Sequence, residues 1–70
     1  MDFHWIDGSE IRVRKEENAV IVSANKAGLL SLANHLRTLA EEEGTAHFHL
    51  DEYNSLEEGS AELIIEKTED

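Results

Sequence analysis

The chain contains no cysteine, so neither a disulfide nor a thiolate metal site can hold its fold, and a packed core has to do so alone. Proline is also absent, glycine occurs four times, and no Gly/Ser-rich stretch interrupts the 70 residues, so nothing marks a linker or a second domain. One Trp, one Tyr and two Phe leave few large side chains to fill an interior. No apolar run approaches the roughly 20 residues that cross a bilayer, and the first residues lack the basic and apolar regions of a secretory signal. These absences predict a single small domain over residues 1–70 with a mobile tail from about Lys67, in the cytoplasm and without membrane contact.

Basic residues are scarce too: six Lys and Arg stand against sixteen Asp and Glu, for a formal charge of -10. That charge repels nucleic acid and anionic lipid and draws in a partner with a basic surface. A chain of 7.9 kDa buries only about 60% of the surface its unfolded form exposes, so a deep enclosed active site is not expected.

What is present has readable periodicity. Asp7-Gly8 favours the positive φ angles of a tight turn, so Phe3–Ile6 is expected to form a short strand paired with the alternating stretch Ile11-Arg12-Val13-Arg14. Beyond Glu16-Glu17-Asn18, the unbroken apolar run Ala19-Val20-Ile21-Val22 reads as a strand interior to the sheet and covered on both faces. From Asn25 the period changes, because Leu29, Leu32, Ala33, Leu36, Leu39 and Ala40 recur at the offsets of one buried helix face. Asn25 is the expected N-cap, the helix is expected to run to about Glu43, and Gly44 to end it.

Next, Ala46, Phe48 and Leu50 alternate with His47, His49 and Asp51, giving a strand with an apolar and a polar face. An acidic connection leads to a last strand, Glu62–Glu66. Within that connection Tyr53 is expected to be at least partly exposed and Leu56 to tuck the loop onto the core, whereas Trp5 is expected inside it. The order strand, strand, helix, strand, strand predicts an α+β fold of two layers, with one helix packed on a mainly antiparallel sheet of four or five strands.

His47-x-His49-x-Asp51 is the one arrangement with metal-site chemistry, since spacing of two on a strand aims two imidazoles and a carboxylate from the same face. The same residues also describe a solvated sheet face, and the spacing implies no further ligand, so no metal and no cofactor are expected. Asp51, Glu52, Glu57, Glu58 and Glu62 offer many carboxylate pairs, but acid/base catalysis needs a pocket that drives two pKa values apart. None of the five serines has a G-x-S-x-G context, and Lys26-Ala27-Gly28 is too poor in glycine to cradle a phosphate. No enzymatic activity is expected.

Three segments carry a resemblance: Asn25-Lys26-Ala27-Gly28-Leu29-Leu30-Ser31-Leu32-Ala33, then His47-Phe48-His49-Leu50-Asp51, then Leu56–Glu66. Together they look like the immunity protein 32 family of bacterial polymorphic toxin systems. The resemblance implies a small α+β protein that binds and neutralises a cognate toxin; the chain is expected to be a monomer or weak homodimer. With the charge, it directs attention to a partner-binding surface made of Asp51, Glu52, Tyr53, Glu57 and Glu58, with His47 and His49 at its rim. The alternatives are a small metal- or ligand-binding domain using the His47/His49/Asp51 face, or a domain that homodimerises through an exposed strand edge.

Overall fold

The computed structural model describes residues 4–69. Strands β1 (Ile11–Glu16) and β2 (Ala19–Ala24) are followed by helix α1 (Lys26–Ala40) and by strands β3 (Ala46–Leu50) and β4 (Leu63–Lys67). The class and the order of elements are those expected, but the sheet is not. Among the described residues the strands form two separate antiparallel pairs, β1 with β2 and β3 with β4. A loop stands where a continuous sheet would join them. The amides of Glu57 and Ala61 donate to the carbonyls of Ile11 and Val13, each at 2.8 Å, and the Val13 amide donates to Ser60 Oγ at 3.2 Å. The β3–β4 connection thus satisfies the edge of β1, which buried backbone groups require of some partner.

Two strand expectations fail. The expected first strand begins at Phe3, outside the described residues, and residues 4–6 are not in a strand. Asp7-Gly8 does turn, with Gly8 at φ 85°. The turn presses the segment onto α1 instead of into a ladder: the Ile6 amide donates to Ser31 Oγ at 2.9 Å, and Ser9 Oγ donates to the Ile6 carbonyl at 2.6 Å. With one hydrogen on each hydroxyl, Ser31 Oγ in turn donates to Ser9 Oγ, 2.7 Å away. The second failure is β2, which pairs with β1 alone and is not interior. Register puts Ala24, Val22 and Val20 on the same face as Ile11, Val13 and Lys15, and burial fades along that series until Val20 is 57% exposed. The helix covers only the base of this hairpin.

That position follows from the start of α1. Asn25 Oδ1 accepts the Gly28 amide at 2.8 Å as the N-cap, and its Nδ2 donates to the Gly8 carbonyl at 2.8 Å. Gly28 then lies so close to β1 that a Cβ there would stand 2.7 Å from the Glu10 carbonyl oxygen and 2.9 Å from Ile11. Only glycine permits this approach. The helix is therefore turned so that Gly28, Ser31, His35 and Leu39 are buried, while Leu29, Ala33, Leu36 and Ala40 are exposed and Leu32 is half-buried. The leucine face expected inside is rotated outward by about a quarter of a turn. The helix also ends at Ala40, short of Glu43; Gly44 does adopt φ 71°, but within the bend that leads to β3.

Ile11, Val13, Leu39, Phe48, Leu50 and Leu56 form the core, so Leu56 secures the connection as expected. Trp5 does not join them; it is 39% exposed and meets His35 edge to face with centroids 4.0 Å apart. β4 includes Lys67, whose ammonium donates to the Glu42 carbonyl at 2.7 Å and the Gly44 carbonyl at 3.2 Å, tying the end of the chain to the end of the helix. Asp70, the last residue of the expected tail, lies outside the described residues. Among those described, no helix is long and apolar enough to cross a membrane.

Candidate functional site

The β3–β4 connection is long, yet almost every turn in it is fixed by a hydrogen bond. Asp51, at the end of β3, is half-buried. Its carbonyl accepts from the amides of Asn54, Ser55 and Leu56 at 3.3, 3.0 and 2.9 Å, and its carboxylate accepts from the amides of Tyr53 and Asn54 at 2.9 and 3.1 Å. Asn54 closes the same turn from the other side: its Oδ1 accepts the Asp51 amide at 3.0 Å and the Ser55 hydroxyl, and its Nδ2 donates to the His49 carbonyl at 3.1 Å. Aspartate and asparagine are the residues whose short polar side chains can do this.

Farther along, the Glu52 carboxylate accepts the Gly59 amide at 2.9 Å, and Arg12 Nη1 donates to the Glu58 carbonyl at 3.2 Å. The sequence-derived surface is thereby divided. The carboxylates of Asp51 and Glu52 bind backbone amides of the loop and set its shape, Asp51 half-buried and Glu52 exposed. Tyr53 is 91% exposed, Glu58 is exposed, and Glu57 is half-buried.

His47 and His49 are exposed on the outer face of β3 with ring centroids 5.0 Å apart, and His49 Nδ1 lies 3.2 Å from Glu62 Oε2. Glu62 stands beside His49 from across the hairpin, a contact that strand spacing alone does not reveal. Asp51 does not complete the facial set, because its carboxylate is bound to its own loop. Among the described residues no three of His, Asp and Glu come together as a metal ion would need.

A cleft of about 120 Å³ opens beside this surface, lined by Trp5, His35, Phe48, His49, Leu50 and Asn54. It is small beside the roughly 300 Å³ at which ligand pockets begin. His35, on its floor, is 1% exposed and makes edge-to-face contacts with Trp5 and Phe48. Burial holds its pKa below the ordinary 6.5, opposed by a backbone hydrogen bond with His4. Sequence reasoning passed over His35, although Gly28, Ser31, His35 and Leu39 are spaced as a helix face; its polarity hid the pattern.

The family model described as immunity protein 32 matches residues 19–68, from the start of β2 to just beyond β4. No curated protein and no solved structure matches the chain.

Proposed function

Because the chain belongs to the immunity protein 32 family, we propose that it is a non-enzymatic protein-binding module that binds and neutralises a cognate toxin through its β3–β4 connection. The observation that carries this reading is Tyr53, 91% exposed at the crest of a loop held by its own hydrogen bonds. An exposed aromatic on a pre-shaped loop is an economical anchor, since little conformational freedom remains to be lost on binding. Glu57 and Glu58 beside it, in a chain of formal charge -10, favour a toxin with a basic surface and speed its approach. Asp51 and Glu52 serve the same surface by shaping it, and His47 and His49 stand at its rim.

Expression of a cognate toxin should kill a host cell that lacks the chain, and co-expression of the chain should rescue it. Rescue should fail for the pair Tyr53→Ala and Glu58→Lys while surviving Lys15→Ala on the far hairpin. Full rescue by the Tyr53/Glu58 variant would place the binding face elsewhere.

A further inference from the structure

The apolar face that α1 leaves exposed is ordered as a seam. Leu29, Ala33, Leu36 and Ala40 follow at offsets of four, three and four, the spacing that keeps side chains along one line between paired helices. Leu29 is 55% and Leu36 45% exposed, and the face packed on the body of the protein is the other one. Charge is also distributed unevenly. Residues 19–40 hold Lys26 and Arg37 and no acidic residue, so all sixteen Asp and Glu lie outside this segment. Two copies of a chain at formal charge -10 repel one another, and they can approach most closely along the segment that carries no acid.

We infer that this stripe is the interface of a homodimer in which α1 packs antiparallel on α1 of a second copy. A two-fold axis through the centre of the stripe fixes the register. It sets Leu29 over Ala40 and Ala33 under Leu36 of the second copy, so each leucine lies over an alanine and the helices can come close. The same register carries Lys26, at the start of one helix, toward Glu41 and Glu43 at the end of the other. Those glutamates oppose the dipole of their own helix, and the positive start of a neighbouring helix with its lysine supplies the favourable charge they lack. A basic toxin is the poorer occupant, because the stripe itself holds no acidic residue and only the glutamates at its end could meet one. A helix of 15 residues is about 22 Å long, so the seam lies at the small end of specific interfaces and the dimer is concentration-dependent.

Sedimentation equilibrium of the intact chain, carried to about 1 mM, tests this directly. The mass should rise from that of one chain toward twice that value. Leu36→Asp should hold it at one chain with the helix signal and melting temperature unchanged, and Ala33→Arg should do the same should Leu36→Asp unfold. Lys26→Glu should weaken association, and adding Glu41→Lys and Glu43→Lys should restore it. A wild-type chain that stays monomeric overturns the proposal. So does a dimer indifferent to both stripe variants, or one that the charge exchange leaves weak.

Discussion

The amide of Glu57 donates to the carbonyl of Ile11 at 2.8 Å, joining the proposed binding surface to a residue with no exposed area at all. Ala61 repeats the contact at Val13, and Leu56, next to Glu57 in sequence, is buried in the core. The connection is therefore framework as much as loop. Its backbone is held by the first hairpin, and only selected side chains are free to meet a partner.

The turned helix face makes a paired prediction. Leu39→Ala should cost about 2–5 kcal/mol in chemical denaturation, the range for truncating a buried leucine. Leu36→Ala, at a position 45% exposed, should change stability by no more than about 0.5 kcal/mol. A larger loss at Leu36 than at Leu39 would mean that the leucine stripe faces inward after all.

Gly28→Ala would normally favour a helix by about 1 kcal/mol. Here the new Cβ meets the Glu10 carbonyl oxygen at 2.7 Å, and that oxygen is already fixed by the Asn25 amide. Overpacking of this kind costs about 1–3 kcal/mol, so the variant should be destabilised, as a lowered denaturation midpoint would record. A raised midpoint would show that helix and strand can part without cost.

His35 predicts how stability depends on acidity. Well above pH 6.5 its ring is neutral folded and unfolded and adds no pH dependence. Below 6.5 the unfolded chain takes up a proton that the buried ring refuses, so the unfolded state binds more protons and stability falls as pH falls, until the lowered folded pKa is reached. Denaturation midpoints between pH 7 and pH 5 should show this decline, flattened in His35→Phe. An equal slope in both proteins would assign the dependence to other groups.

Much of the fold was legible because it follows local rules. Asn25 caps, Ala46, Phe48 and Leu50 face inward, and both later strands lie within a residue of their expected positions, all from spacing and side-chain chemistry. What misled was competition that no local pattern records. Leu29 and Leu36 read as core, but Gly28 decides which face can reach β1. Val20 and Val22 read as a central strand, but an exposed strand of β-branched residues has the same sequence. Exposure of Tyr53 and the anchoring by Leu56 were readable from their places in an acidic connection; the capture of loop amides by the carboxylates of Asp51 and Glu52 depends on backbone groups that only the folded loop brings near.

Binding kinetics of the purified chain against its cognate toxin test the central claim most directly. Tyr53→Ala should speed dissociation about tenfold or more, the loss of an aromatic anchor worth about 1.4 kcal/mol or above, with little change in association. Glu58→Lys should instead slow association and weaken its dependence on salt. Unchanged association and dissociation rates in the variant carrying both substitutions would contradict the assignment of the β3–β4 connection as the surface that holds the toxin.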